Sequence, residues 1–162
     1  MNKEEKRISR YISLQAIYAY EVSGEQDVLI YKKNVNMDAP VFVHHFQEDF
    51  SECYGNLSSS QLDFSEKLYV SSIKNKNYID KIIKERLKNW DISRLAIIDK
   101  LILRMSAAEM LFIDDVPPKV SIVEGVEIAK VFSTQDSSNF VNGILDAIYN
   151  EVYINNMQSN KS

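Results

Sequence analysis

Cysteine occurs once, at Cys53, and histidine only as the adjacent pair His44 and His45. One thiol cannot close an internal disulfide. Neighbours on a helix point about 100° apart, so two adjacent histidines with a distant cysteine make a poor zinc site. The four glycines (24, 55, 125, 143) are too scattered to build G-x-G-x-x-G or a phosphate-cradling loop, and neither G-x-S-x-G nor H-E-x-x-H occurs. Carboxylate pairs such as Asp114-Asp115 and Glu124/Glu127 have no nucleophile or base beside them in sequence. No catalytic residue, metal site or cofactor is therefore expected, and the chain does not read as an enzyme. Only three prolines (40, 117, 118) accompany those glycines, too few turn residues for an all-β chain of this length. No apolar run approaches the roughly 18 residues of a membrane span, and no basic-then-apolar leader is visible, so a cytoplasmic protein without membrane contact is expected.

What is present is ordinary globular composition, 45% apolar and 26% charged, enough for one hydrophobic core. The net charge of −4 hides a segregation of sign. Residues 1–20 carry four basic and two acidic side chains, residues 21–65 two and eight, residues 66–104 ten and five, residues 105–162 three and eight. Such a pattern fits a polyanion partner as well as solvated helix faces.

Periodicity predicts helices throughout. Ile8, Tyr11, Ile12, Gln15, Ala16 and Ala19 place a first helix at about Glu4 to Val22, with Gly24 as its stop. Residues 25–40 hold no period. Val43, Phe46, Phe50 and Tyr54 mark a second helix, and a long third runs from about Asp63 to Lys88, weakest at "SSIKNKN" (71–77) and closed by Trp90. Ser93 is a plausible N-cap for an almost wholly apolar fourth helix, which belongs in the centre. Pro118 opens a fifth, to about Val131. A sixth begins near Asp136 or Ser137, either of which can cap it, with Phe140, Val141, Ile144, Leu145, Ile148, Tyr149 and Val152 on its buried side.

Inside that sixth helix lies Asn142-Gly143, a pair that ordinarily signals a hairpin. The apolar spacing continues unbroken beyond it, so helix is the better reading. An interior glycine costs about 1 kcal/mol relative to alanine. Gly143 therefore needs a compensating role: close approach of another helix, or of a ligand backbone. Asn142 offers an amide to a neighbouring segment or a base edge.

"LILRMSAAEML" (101–111), "DVPPKVSIVEGVEIAKVFS" (115–133) and "DSSNFVNGILD" (136–146) resemble helix four, the D-V-P-x-K-V opening and the D-S-x-x-F-V-N-G signature of the NusB transcription antitermination factor family. "RISRYISLQAIYAYEVSG" (7–24) resembles its N-terminal helix, at Arg10, Gln15 and Tyr18. The resemblance implies an all-α fold of six to seven helices in two sub-bundles, here a single domain over 1–155 with a flexible tail at 156–162. It implies a partnership with a small-subunit ribosomal protein acting as NusE. The pair would bind boxA-type single-stranded RNA of nascent ribosomal transcripts, so that RNA polymerase, engaged indirectly, reads through terminators. On this basis Lys6, Arg7, Arg10, Asp136, Ser137 and Phe140 are expected at the RNA and Tyr18 and Asp99 at the ribosomal protein. Asn142 and Gly143 are expected to let the sixth helix seat closely beneath the RNA surface.

Two departures stand out. The N-terminal arginine cluster is thin, interrupted by Ile8 and flanked by Glu4-Glu5, and Gly125 replaces a usual alanine at an expected cost in helix stability. A protein-interaction adaptor with this fold and little RNA binding is the alternative reading. Self-association of the free protein stays open.

Overall fold

α1 (Lys3–Ser23) begins at a reciprocal cap. Asn2 Oδ1 accepts the Glu5 amide at 2.8 Å, and Glu5 Oε2 accepts the Asn2 amide at the same distance. α2 (Ser59–Lys74) opens in the same way, Ser58 Oγ accepting from the Gln61 amide at 3.2 Å and Gln61 Oε1 from the Ser58 amide at 3.0 Å. These elements come from a computed structural model that describes residues 1–23, 55–87 and 92–161. The expected second helix at 43–54, both histidines, Cys53 and Trp90 lie outside the described residues. The described elements are all helical, and the chain divides into two compact units, Met1–Val70 and Ser71–Ser162.

In the first unit α1 and the start of α2 meet through serines. Ser9, Ser13 and Ser65 are buried. Ser13 Oγ donates to the Ser65 carbonyl at 2.6 Å, and Ser65 Oγ lies 3.1 Å from the Ser9 carbonyl and 2.8 Å from that of Gln61. Small side chains let the backbones approach, and the bonds satisfy hydroxyls that burial would otherwise penalise. Gln61 Nε2 also donates to the Glu5 carbonyl at 3.3 Å, tying one cap to the other.

In the second unit the helix breaks at Asn75, inside the weak stretch seen in the sequence. The long third helix is thus two: α2, and α3 (Lys76–Arg86). Asn75 adopts φ −103°, ψ 14°, and its Nδ2 donates to the Ser71 carbonyl at 2.9 Å, a side-chain bond that competes with the helical ladder. A 3-10 turn (Ile92–Arg94) holds Ser93, which is exposed and is not the N-cap of the next helix. α4 (Ile97–Phe112) starts instead after Ala96, with no side-chain cap. Leu101 through Met110 are all buried, the central position its apolar surround predicts. α5 (Pro118–Phe132) and α6 (Gln135–Ile148) pack on α4 and on each other. A π-helical turn (Tyr149–Tyr153) leads into α7 (Ile154–Ser159), so the stretch expected to be a tail from 156 continues as helix to Ser159.

The two helical glycines exchange their expected roles. Gly143 is exposed, and a Cβ there would meet nothing within 4 Å among the described residues, so it seats no helix. The close approach is at Gly125, where a Cβ would stand 2.6 Å from Ser106 Oγ and 2.8 Å from Leu145 Cδ1. Glycine is what allows α5 to lie against α4 and α6. Elsewhere on α4 Arg104, wholly buried, donates from Nε and Nη2 to the two carboxylate oxygens of Asp80, each at 2.9 Å. A bidentate pair of this geometry offsets the desolvation of the guanidinium.

Candidate nucleic-acid interface

α1 presents basic side chains along one edge of its first turns. Lys3 is exposed, and Lys6 and Arg7, three and four residues on, are half-buried on the same face. Arg10 continues that face but is only 3% exposed, its guanidinium 5.5 Å from the centre of the Phe64 ring. Arg10, expected at the RNA, is instead drawn inward: α2 brings Phe64 over it, and a cation–π contact with buried aliphatic packing anchors the residue in the first unit. Lys3, which the sequence reading passed over, supplies an exposed charge at this edge. Tyr18 is 43% exposed and Val22 exposed beyond it, with half-buried Tyr11 and Gln15 preceding at helical spacing. The outward pair Tyr18 and Val22 gives this stripe an apolar end that suits a protein contact.

The signature segment sits in the second unit, at the start of α6. Thr134, not Asp136 or Ser137, is the cap: its backbone is extended and its Oγ1 accepts the Ser137 amide at 3.1 Å. That leaves Ser137 Oγ free to turn inward, where it donates to Asp99 Oδ2 at 2.8 Å while accepting from Thr134 Oγ1 at 3.0 Å. Ser133 Oγ donates to Asp99 Oδ1 at 2.7 Å. Both carboxylate oxygens of Asp99, itself 8% exposed, are thereby engaged within the unit. Asp99 was expected at the partner and Ser137 at the RNA. The structure makes them the two halves of one bracket between the first turn of α4 and the first turn of α6.

What the bracket leaves outward is polar. Gln135, Asp136, Asn139 and Asn142 are exposed on α6, Phe140 is half-buried, and Gly143 bares the backbone. Beside them a groove of about 310 Å³ separates α6 from α5, lined by Val123, Val126, Lys130, Ser138, Asn139 and Asn142 among others. Lys130 Nζ lies 3.0 Å from Glu127 Oε1. Exposed amides above an apolar wall can hydrogen-bond and pack on unstacked bases, the mode by which single strands are read. Asn139, absent from the sequence-based list, was detectable only as the solvent-side position between Asp136 and Asn142. Lys6, Arg7 and Arg10 lie in the first unit and Asp136, Ser137 and Phe140 in the second.

The profile of the NusB family matches residues 7–150. The chain belongs to the NusB family. Similar relatives include the transcription antitermination protein NusB of Chloroherpeton thalassium, 43% identical over 147 residues, 91% of this chain and 62% of that one. That of Syntrophus aciditrophicus is 34% identical over 155 residues, 94% of this chain and 84% of that one. The chain thus spans about three-fifths of the C. thalassium NusB length. Among solved structures, T. maritima NusB superposes with a TM-score of 0.68 at 28% identity, over 90% of this chain and 91% of that one. The antitermination factors NusB and NusE in complex with dsRNA give 0.69 at 21% identity, over 92% and 98%, a likeness of fold. The NusB fold of this chain is all-α, as the resemblance implied, and no described helix is long and apolar enough to cross a membrane.

Proposed function

We propose that this NusB-family chain is a non-enzymatic, cytoplasmic transcription antitermination factor. In this reading it binds boxA-type single-stranded RNA of nascent ribosomal transcripts together with a small-subunit ribosomal protein in the NusE role. RNA polymerase is engaged indirectly. The observation that carries the reading is the outward polar edge of α6, where Asp136, Asn139 and Asn142 stand exposed on a helix whose start is fixed by the Asp99 bracket. Side chains held in place before the ligand arrives lose less entropy on binding. Lys3, Lys6 and Arg7 supply the phosphate contacts, Phe140 and the amides meet bases, and the Tyr18 stripe takes the ribosomal protein. Asp136, an acid, acts on a base donor rather than on phosphate. The names of the antitermination proteins it resembles support the activity.

The burial of Arg10 favours a second reading, because it thins the phosphate-binding edge further: an adaptor that holds the ribosomal protein with little RNA affinity of its own. Transcription in vitro across a terminator downstream of a boxA element decides between them and tests the activity. Adding this chain with the ribosomal protein should raise read-through, and mutating boxA should remove the gain. Read-through that rises equally without boxA selects the adaptor; no rise at all contradicts both.

A further inference from the structure

The far end of α4 carries a second recessed surface. From Asp99 to Phe112 the helix runs about 20 Å. Past its end, a cleft of about 700 Å³ is lined by Met110, Val116, Pro117, Tyr153 and Met157, by the polar side chains of Asn156, Ser159 and Asn160, and by Asp114 and Asp115. The first four supply an apolar floor and an aromatic wall. Met157 is 44% exposed, and both aspartates are exposed in the turn that ends α4.

The charged residues that line this cleft, Asp114 and Asp115, have one sign. The last carbonyls of α4 carry the negative end of a 16-residue helix and meet the two carboxylates. Lys119, the cation nearest to them in sequence, sits 5.7 Å from the centre of the Tyr149 ring, outside the lining. Tyr149 in turn stacks on Tyr153, centroids 5.6 Å apart and planes 15° from parallel, so the π-helical turn holds an aromatic face in the wall. π-helical turns recur at functional sites.

We infer that this cleft docks an arginine-bearing, otherwise apolar segment of a partner protein. A guanidinium can lie on the Tyr153 ring and pair through its fork with Asp114 or Asp115, while flanking aliphatic side chains fill the floor toward Met110 and Met157. Nucleic acid does not suit it, since carboxylates and helix carbonyl ends repel phosphate. The site is separate from the polar edge of α6, so it provides a protein contact that leaves that edge open.

Calorimetric titration of the full chain with a capped hexapeptide alternating leucine and arginine tests the assignment, with the leucine–glutamate counterpart and a single-stranded RNA as comparisons. The arginine peptide should bind at one site and the glutamate peptide should not. Asp114→Asn with Asp115→Asn should weaken it roughly tenfold or more, as loss of charge-assisted pairs predicts, and Met157→Lys should weaken it similarly. Asp63→Asn with Asp146→Asn removes the same charge elsewhere and should change affinity less than about twofold. Absence of peptide binding overturns the inference. So does equal weakening by the two double variants, which means diffuse attraction to an acidic protein, or RNA binding that Asp114→Asn with Asp115→Asn alters.

Discussion

Ser137 Oγ donates to Asp99 Oδ2 at 2.8 Å, joining the start of α6 to the start of α4. With Ser133 on the other oxygen, the carboxylate closes the turn between α5 and α6 from beneath. Hydrogen bonds to a charged group contribute about 1.5–3 kcal/mol each. Asp99→Ala should therefore lower unfolding free energy by about 3 kcal/mol. In a double-mutant cycle, Asp99→Asn and Ser137→Ala should show a coupling of about 1 kcal/mol in urea denaturation. Purely additive effects, with loss only of ribosomal-protein affinity, would restore Asp99 to the partner surface.

The glycines predict opposite signs. Gly125→Ala drives a Cβ against Ser106 and Leu145 and should cost about 1–3 kcal/mol despite better helix propensity. Gly143→Ala meets open space and should gain up to about 1 kcal/mol. Thermal unfolding of the two variants checks the pair, and a gain at Gly125 would mean that α5 can move away from its neighbours at little cost.

Basic residues of α1 divide in the same way. Lys6→Glu with Arg7→Glu should weaken RNA binding and leave the melting temperature nearly unchanged, because both are at the surface edge. Arg10→Ala should instead destabilise the first unit by about 1–2 kcal/mol through lost packing and cation–π contact. Measuring melting and RNA affinity on both proteins separates the roles. An Arg10→Ala protein of full stability and lost RNA affinity would reverse them.

Burial pushes the Tyr69 hydroxyl above its ordinary value of 10.0, with the neighbouring Tyr20 adding to the shift. The folded state holds this proton more tightly than the unfolded state, so the resulting stability is complete below pH about 10 and falls as pH rises beyond it. Tyr69→Phe has no proton to lose there. Denaturant midpoints measured from pH 8 to 11.5 should fall more steeply for the natural protein than for the variant above pH 10, and parallel curves would contradict the assignment.

α4, α5 and α6 were legible because their apolar residues keep helical spacing, and the Asn142-Gly143 pair did not break it. The roles of the glycines were not legible. Gly125 and Gly143 both stand mid-helix among apolar neighbours, and only the packing of α4 decides which is pressed. The burial of Arg10, expected at the RNA, was not legible because its partner, Phe64, comes from another helix. The Asp99 bracket was hidden for a similar reason: its serines lie 34 and 38 residues away, and serine hydroxyls leave no periodic trace. Within the segment D-S-x-x-F-V-N-G the first two residues do different work, Asp136 facing out and Ser137 facing in.

The most direct test is fluorescence anisotropy of a labelled boxA-type RNA titrated with this chain, with and without the ribosomal protein, at several salt concentrations. The account predicts that the ribosomal protein tightens binding, that a scrambled RNA binds more weakly, and that log K falls with log salt by about 0.7 for each phosphate contact. Ribosomal-protein binding with no RNA affinity at any salt would contradict it.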